Sequence, residues 1–589
     1  MTRPAVRSMI LLSAFFIACA PGSTAVSGFA GSDEAWVNST LQRLSLRDKV
    51  AQLVMPRIPG GFLAADGPAF ERIRGWVEDQ HVGGVIATVG PPMEAATTFD
   101  LLQSLAHVPL LVTADLEEGP GQLLNGGVVL PWGLDNGGAT RFPPLMALGA
   151  TGEEAFAHAL GRISALEGRA VGVHMTFAPV VDVNNNPANP IINTRSFGAE
   201  PALVARMAAA HVRGVQDNGM LATAKHFPGH GDTGTDSHIE LPVITVGRAR
   251  ADSIELVPYR AAIAAGVAAV MTAHIAFPAL TGDSVPATLA RAILTGLLRE
   301  ELGFDGIITT DAMDMGAIVR NYGATVAPVM ALAAGADLLL QVPGNDVATV
   351  IDAVVDAVRS GELTESRIDA SVRRLLAAKA RLGLHRNARV DLTRVPYALA
   401  RAEHLASAQE AADRSITLAR DETRMIPLRD GSTLAIVYVG YNDPYAGRTF
   451  TRALDGPLQG LRTVTLESQP SAADLVDVRR MADQADRIIF APFIRVGAYR
   501  PDLSVADSVA AVITDLASRK PTALVSFGNP YVLGQFPHIG TYMLAWGQGD
   551  VSQRAAARAL TGQIAITGRL PIPIPPFHAI GDGITVSGN

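Results

Sequence analysis

Short apolar runs alternate with stretches of helical periodicity from about Leu41 to about Leu384. Most of the runs are continuously apolar, which is typical of strands buried on both faces of a parallel sheet. Stretches such as Pro201–Asn218, Val257–Ala265 and Ala287–Glu301 are predicted as the intervening helices. The eight predicted strands are Gln52–Pro56, Gly84–Val89, Leu110–Asp115, Val173–Asp182, Leu221–His226, Ala268–His274, Gly306–Asp311 and Asp337–Val342. This alternation predicts an α/β fold, a (β/α)8 barrel of TIM type with inserted loops.

A second α/β segment follows a break without clear periodicity at His385–Ala398. Ala402–Ala419 and Asp502–Ser518 are predicted as helices. The predicted strands are Thr433–Gly440, Arg487–Pro492, Thr522–Gly528 and Thr541–Gly547. We therefore expect a barrel domain over 31–385, then a linker and a smaller C-terminal α/β sandwich domain over 386–589.

Residues 1–30 have the pattern of a secretory signal, because Arg3 and Arg7 precede the apolar stretch Met9–Ala18. Cys19 follows at the expected cleavage point, and Phe16-Ile17-Ala18-Cys19 resembles a bacterial lipobox, in which the cysteine is lipidated. Since the chain has no other cysteine, we expect a membrane-anchored lipoprotein. A plain secretory signal with an incidental cysteine is the alternative, which would make the protein periplasmic or secreted. Both interpretations predict export.

Composition excludes several other classes of protein. Acidic side chains outnumber basic ones by 56 to 48 among 589 residues, which argues against a general nucleic-acid binder. A single cysteine excludes a disulfide framework and any zinc or iron–sulfur site built on cysteines. No apolar run after the N-terminus approaches the roughly 20 residues needed to span a bilayer, so a lipid anchor is the one membrane contact expected.

Polar side chains stand at the ends of five predicted strands. In a barrel of this kind the active site lies at the C-terminal mouth, which is built from strand ends and the loops after them. Any single one of these residues could cap a helix, but five strands ending this way at one mouth indicate a site. The residues are Asp115, Asp182, Lys225 with His226, His274 and Asp311.

The stretch Lys225–His238 carries three histidines, two aspartates and a lysine on one predicted loop. Its glycines match G-x-G-x-x-G, but no strand–turn–helix frame surrounds them, which disfavours a dinucleotide site. A metal site on the histidines is disfavoured because Pro228-Gly229 prevents the helix that would align His226 with His230. The third interpretation is a catalytic pair. Asp236 can orient the imidazole of His238, and a histidine so paired can act as acid and then as base.

Asp311 is the best candidate nucleophile in the sequence. A carboxylate fixed at the end of a rigid strand can attack an anomeric carbon and form a covalent glycosyl-enzyme. Asp314 is the competitor, and we expect it in the first turn of the following helix, where a negative charge interacts favourably with the helix dipole.

Several motifs together resemble glycoside hydrolase family 3, in particular its β-N-acetylglucosaminidase (NagZ-like) branch. The loop ending in Asp236-Ser237-His238 is highly specific to that branch, and the resemblance covers nearly the whole mature chain. The matching segments are Phe177–Asn184, Asn189-Pro190, Arg195–Gly198, Lys225–His238 and Thr310–Met313 in the first domain, and Ser415–Leu418, Phe527–Pro530 and Gly568–Pro571 in the second.

The resemblance implies an exo-acting, retaining β-N-acetylglucosaminidase that trims peptidoglycan fragments or chitooligosaccharides. Asp311 would be the nucleophile, His238 the acid/base and Asp236 its partner. The terminal N-acetylglucosamine would be bound by four further residues: Asp115, Arg195, Lys225 and His226. No metal, organic cofactor or protein partner is implied. A neutral histidine base avoids a second negative charge beside the glycosyl–aspartate, and the same logic allows phosphate as an acceptor.

One segment departs from the family pattern. Where members commonly show Asp-x-Glu-Gly-Gly-Arg, the chain has Asp115-Leu116-Glu117-Glu118-Gly119-Pro120 without the arginine, which bears on the aglycone preference. Two alternatives remain. A β-glucosidase or xylosidase of the same family would lack the Asp-x-His loop, and a non-catalytic sugar-binding lipoprotein would not need Asp311 and His238.

Overall fold

The computed structural model describes residues 31–125, 137–342, 346–441, 443, 445–499 and 503–588. The strands of the first part are β1 Val54–Met55, β2 Arg57–Ile58, β3 Gly84–Ala87, β4 Leu111–Ala114, β5 Met175–Thr176, β6 Thr223–Phe227, β7 Ala269–Thr272, β8 Ile307–Ala312 and β9 Leu338–Leu340. All their pairings are parallel, in the orders β2-β3-β4-β5 and β6-β7-β8-β9-β1. Cys19 lies outside the described residues.

Two features join these sheets into a barrel. The short segment that holds β1 and β2 pairs with β9 through its first half and with β3 through its second half. Parallel bridges at Met175–Leu221 and Val180–Lys225 connect the β5 side to β6. Buried side chains that are 0–3% exposed form an interior layer, seven of them from strands and one, Leu221, from just before β6: Met55, Ile86, Leu111, Met175, Leu221, Met271, Ile307 and Leu338. The predicted barrel is confirmed.

The helices of the first part lie between these strands along the chain. Several begin with proline in the first turn, where the missing N–H costs nothing. They are α1 Gly31–Arg43, α2 Leu46–Ala51, α3 Pro68–Glu78, α4 Pro92–Leu105, α5 Leu145–Thr151, α6 Glu154–Ala170, α7 Pro201–Gln216, α8 Arg248–Ser253, α9 Val257–Ala264, α10 Pro278–Thr281, α11 Gly316–Tyr322, α12 Val326–Ala334, α13 Val347–Arg359 and α14 Glu365–Arg381. Across the ranges given above, no single helix is long and apolar enough to cross a bilayer, although the bent pair α11 and α12 passes by length and composition together.

The second part is one six-stranded sheet in the order β10-β15-β14-β13-β11-β12, antiparallel at β10 and parallel elsewhere. Side chains alternate between its faces: Ile436 belongs to the outer core, whereas Val437 belongs to the core continuous with the barrel. Its elements are α15 Val395–Ala398, α16 Ala402–Ser415, β10 Thr417–Asp421, β11 Thr433–Val439, α17 Arg448–Asp455, β12 Leu461–Leu466, α18 Ala472–Asp483, β13 Arg487–Ile494, α19 Asp507–Ala517, β14 Thr522–Gly528, β15 Thr541–Leu544 and α20 Asp550–Leu560. The α/β sandwich is confirmed, while the domain limits stay a prediction.

Some predicted elements are wrong in detail. The helix predicted over Ala402–Ala419 ends at Ser415, because β10 then pairs with β15. The stretch Ala287–Glu301 divides into a 3₁₀ turn and a π-helix that begins at Ala292. The strand predicted over Val173–Asp182 keeps regular pairing only at β5. The edge strand β12 was not predicted from the sequence, because five of its six residues are half-exposed or exposed.

Candidate active site

A cavity of about 820 Å³ opens at the C-terminal end of the barrel strands. Six of the seven predicted catalytic and sugar-binding residues line it, and the seventh, Asp236, lies directly behind His238. Loops of the second domain contribute to the wall of the cavity, together with further residues of the barrel. The six residues are Asp115, Arg195, Lys225, His226, His238 and Asp311.

His238 is oriented by Asp236 on the loop after β6. Its Nδ1–H donates to Asp236 Oδ1 (2.7 Å), and its backbone N–H donates to the same oxygen (2.9 Å). Burial raises the pKa of Asp236, but hydrogen bonds from His238 and from the Tyr499 backbone outweigh burial and hold it below its ordinary value. An ionised Asp236 fixes the tautomer with the proton on Nδ1, so Nε2 is left to exchange a proton with a substrate.

Asp311 lies at the end of β8, as predicted, and faces the cavity. Burial alone would raise the pKa of its carboxyl. Three neighbouring imidazoles and the Ala312 N–H, which donates to Oδ1 (2.7 Å), outweigh burial and lower the pKa to about 2. These imidazoles belong to His226, His274 and His238. The carboxylate is therefore ionised and able to act as a nucleophile near neutral pH.

Asp314 is not in the first turn of a helix, contrary to the prediction. The helix α11 begins at Gly316, and Asp314 lies in the turn before it, exposed and lining the cavity. Although Asp314 is exposed to the cavity, partial desolvation of its carboxyl raises the pKa of Asp314, in the opposite direction to that of Asp311. The environment therefore favours Asp311 as the ionised group.

A buried network of charges forms the wall beside β4 and β6. Lys225 Nζ donates to Asp115 Oδ1 (2.6 Å) and lies 2.7 Å from Glu117 Oε1. Arg195 makes a bidentate pair with Glu117, with Nε to Oε2 at 2.9 Å and Nη2 to Oε1 at 2.8 Å. Burial raises the pKa of Glu117, but the two cations outweigh it and hold the pKa well below its usual range. Such fixed donors and acceptors suit the hydroxyl groups of a sugar.

The other histidines of the loop after β6 are engaged within the protein. His226 Nδ1 and Asp182 Oδ2 lie 2.7 Å apart, so Asp182 orients the ring that lines the cavity. His230 uses both ring nitrogens, with Thr233 Oγ1 at 2.8 Å and Ser237 Oγ at 2.9 Å, so its role is to shape the loop. These contacts account for the histidines without a metal.

One glycine of the loop is explained by close packing, since a Cβ on Gly231 would lie 1.7 Å from the backbone oxygen of Val183. Gly231 therefore serves the packing of this loop against the strand region before it. A phosphate-binding turn is not required to explain it.

The second domain contacts both sides of the cavity. The Tyr499 backbone N–H donates to Asp236 Oδ2 at 2.8 Å. On the other side, Asn529 accepts a hydrogen bond from Asn193 (3.1 Å), two residues before Arg195. Asn529 lies in the segment Phe527–Pro530, one of those that resemble the family, and this contact shows that the segment supports the loop that carries Arg195.

Several residues of the site were not predicted from the sequence. Glu117 had a signal, because it stands only two positions after the predicted site residue Asp115, in the turn that follows β4. Arg141 lines the cavity and pairs with Glu118 (2.6 Å), although it belongs to a distant segment. Tyr441, Arg495 and Tyr499 come from loops of the second domain, and nothing in their local sequence connects them with the barrel mouth.

The profile of the "Glycosyl hydrolase family 3 N terminal domain" matches residues 45–378. The chain belongs to glycoside hydrolase family 3. It is similar to a Cellulomonas fimi protein named β-N-acetylglucosaminidase/β-glucosidase, with 32% identity over 91% of this chain and 95% of the relative. It is also similar to the β-hexosaminidase LpqI of Mycobacterium tuberculosis, with 35% identity over 57% of this chain and 83% of the relative.

The fold of this family 3 chain is also similar to that of a solved family 3 β-N-acetylglucosaminidase from Paenibacillus sp. str. FPU-7. The TM-score is 0.78 at 35% identity, over 90% of this chain and 99% of that one. The family membership confirms that the protein is a glycoside hydrolase and that its substrate is a carbohydrate.

Proposed function

We propose that the protein is an exo-acting, retaining β-N-acetylglucosaminidase that removes terminal N-acetylglucosamine from peptidoglycan fragments or chitooligosaccharides. The observation that carries the proposal is the Asp236–His238 pair in the cavity that also holds Asp311. A second carboxylate acid would be the usual partner of a glycosidase nucleophile, and here a paired histidine occupies that role. Relatives named for N-acetylglucosaminidase or hexosaminidase activity support the choice of sugar.

In the first step an Asp311 carboxylate oxygen attacks C1 of the terminal sugar. The bond from C1 to the leaving oxygen breaks, and that oxygen takes a proton from Nε2 of protonated His238. Asp236, which accepts from Nδ1, stabilises the positive charge of the imidazolium before the transfer. The products are a glycosyl–Asp311 ester and the free aglycone.

In the second step His238, now neutral, takes a proton from water at Nε2. The oxygen of that water attacks C1 on the face left by the aglycone and releases Asp311 as a carboxylate. Two inversions at C1 retain the β configuration. Because the base is neutral, phosphate could replace water, and the two acceptors are distinguished by their products, the free sugar or the sugar 1-phosphate.

The sugar itself would be held by the charged wall opposite the dyad. Glu117 fixes Lys225 and Arg195, so the N–H groups of these two side chains that do not bind Glu117 keep a defined orientation before a substrate enters. Pre-fixed donors reduce the entropy lost on binding. Asp115, whose side chain is 44% exposed, is the acceptor most open to a sugar hydroxyl.

The proposal is tested with purified mature protein on an aryl N-acetyl-β-glucosaminide and the matching aryl β-glucoside. We expect strong turnover of the acetamido sugar, loss of turnover in Asp311→Ala and severe impairment in His238→Ala. Turnover of the glucoside alone would favour a β-glucosidase. This second candidate is suggested by the C. fimi relative, whose name gives both activities. Wild-type protein that binds but does not cleave either sugar would favour a sugar-binding lipoprotein.

We also propose that the protein is exported and anchored through a lipidated Cys19, on the basis of the N-terminal pattern alone. Labelled palmitate fed to expressing bacteria should appear in the wild-type protein and not in Cys19→Ser. Wild-type protein that carries no label and is found free of membranes would contradict lipidation and would support the alternative, a plain secretory signal.

A further inference from the structure

The loop after β13 in the second domain reaches the acid/base pair of the barrel. Tyr499 lies on this loop, 64% exposed, with its backbone in the left-handed region (φ 61°). That conformation favours glycine over a tyrosine, so the position of this side chain is set by its surroundings and not by local preference. Its surroundings are Asp236 and His238.

The backbone of Tyr499 completes the hydrogen bonding of the Asp236 carboxylate. Oδ1 accepts from His238, through Nδ1 and the backbone N–H, whereas Oδ2 accepts from the Tyr499 N–H at 2.8 Å. With both oxygens engaged, the carboxylate cannot rotate without losing a bond. Asp236 is 4% exposed, so water does not readily replace a lost partner.

The ring of Tyr499 contacts the imidazole directly. The two ring centroids lie 5.2 Å apart with the planes at 61°, which is an edge-to-face contact. His238 itself is 25% exposed and stands on a loop. The tyrosine ring therefore covers part of the imidazole and limits its rotation while Nε2 stays directed to the cavity.

We propose that Tyr499 is a positioning residue that makes the acid/base work of His238 depend on the second domain. This inference rests on the proposed function, since it concerns the same dyad. Tyr499 transfers no proton in this account. It acts through the ring contact with His238 and the backbone bond to Asp236, and it thus gives the sandwich domain a part in catalysis.

The ring can be removed without losing the backbone bond. Tyr499→Gly keeps the N–H and suits the positive φ, whereas Tyr499→Phe keeps the ring and serves as the conservative variant. Tyr397→Ala removes another exposed tyrosine ring, on α15, and is the matched control. Thermal unfolding of each variant checks that the fold is retained.

The readout separates acid/base positioning from a general structural loss. For N,N′-diacetylchitobiose, whose leaving group needs a proton, we expect Tyr499→Gly to lower kcat/KM by about tenfold to a hundredfold. For the dinitrophenyl N-acetyl-β-glucosaminide, whose leaving group needs none, kcat/KM should stay within about twofold of wild type while kcat falls. Azide, a nucleophile that needs no base, should restore kcat and yield the β-glycosyl azide. Tyr499→Phe and Tyr397→Ala should behave as wild type.

Three outcomes would overturn the inference. The first is a kcat/KM of Tyr499→Gly on N,N′-diacetylchitobiose equal to that of wild type. The second is an equal loss of kcat/KM on N,N′-diacetylchitobiose and on the dinitrophenyl substrate. The third is a loss of kcat on the dinitrophenyl substrate that azide does not relieve. Each leaves the proposed function standing, because wild-type turnover in the same assay reports on it separately. Failure of the wild-type enzyme on both acetamido substrates would instead contradict the proposed function.

Discussion

Lys225 Nζ lies 2.7 Å from Glu117 Oε1, and both side chains are nearly inaccessible, at 4% and 8% exposure. Glu117 also pairs with Arg195, so one buried carboxylate fixes two cations of the candidate sugar site. A buried ion pair of this kind is costly to break, because the remaining charge is left without a partner. The charged wall beside β4 and β6 therefore depends on Glu117 for its stability as well as for its geometry.

Replacing Glu117 with glutamine keeps the shape and removes the charge. We expect Glu117→Gln to lower the free energy of unfolding by about 3 kcal/mol and to raise KM, because Lys225 and Arg195 then repel each other. Denaturant unfolding and steady-state kinetics measure the two effects. In Glu117→Gln/Lys225→Met much of the stability should return. A single variant as stable as wild type would show that the pair is not buried in the way described.

The charge of Asp236 should matter more than its hydrogen bonds. Asp236→Asn cannot stabilise an imidazolium and does not enforce the Nδ1–H tautomer, so we expect kcat to fall by about 10²- to 10⁴-fold. Asp232→Asn is the control on the same loop, since Asp232 pairs with Arg250 (3.3 Å) and not with His238. Its kcat should remain within about twofold of wild type. Equal losses in both variants would show that the loop is generally fragile and that the dyad has no special role.

The loop that carries Arg195 should be sensitive to its contact with the second domain. A Cβ on Gly198 would lie 2.6 Å from the backbone oxygen of Pro571, so Gly198→Ala must displace one of the two segments. We expect kcat/KM to fall by about tenfold or more, since small displacements of substrate-binding groups are expensive. Gly456→Ala adds a methyl group in open space and should be neutral. A Gly198→Ala enzyme with wild-type kinetics would show that this contact does not position Arg195.

Lys379 gives a pH-dependent test away from the active site. Its side chain is fully buried, with Nζ donating to Gln52 Oε1 (2.8 Å), and burial lowers its pKa to about 7. Above this pH the unfolded chain binds a proton that the folded chain does not, so stability should rise with pH toward the ordinary lysine value. The expected slope from this group is about 1.4 kcal/mol per pH unit.

The measurement is the free energy of unfolding at pH 7 and pH 9 for wild type and Lys379→Met. The difference between the pH dependences of the two proteins gives the contribution of Lys379, because both proteins share all other titrating groups. We expect the rise with pH to be smaller in Lys379→Met. An unchanged slope would mean that Lys379 is protonated in the folded protein throughout this range.

The barrel and the first-domain site could be predicted from the sequence because both follow from local patterns. Doubly buried parallel strands are continuous apolar runs, and the residue after each run falls at the mouth, which located Asp311 and Lys225. Asp236 and His238 are two apart, so their pairing was also visible locally. The position predicted for Asp314 was wrong, because a turn separates the end of β8 from the start of α11 at Gly316.

The contribution of the second domain could not be predicted in this way. Tyr499 and Asp236 are 263 residues apart in the chain, and their contact depends on how the six-stranded sheet packs against the barrel. The same holds for Asn529 and Asn193, although the motif around Asn529 marked that segment as notable. The edge strand β12 was not predicted for a different reason. Its side chains are mostly half-exposed or exposed, so its sequence has no continuous apolar run, and only its pairing with β11 defines it as a strand.

The central claim is that Asp311 attacks the anomeric carbon, and trapping the intermediate tests it most directly. A 5-fluoro N-acetylglucosaminyl fluoride forms the glycosyl–enzyme but slows its hydrolysis, so the labelled peptide can be identified by mass spectrometry. We predict one added sugar per chain, on the peptide that contains Asp311 and located at that residue by fragmentation, with no adduct in Asp311→Ala. A label on Asp314, or turnover of the reagent with no adduct at all, would contradict this account.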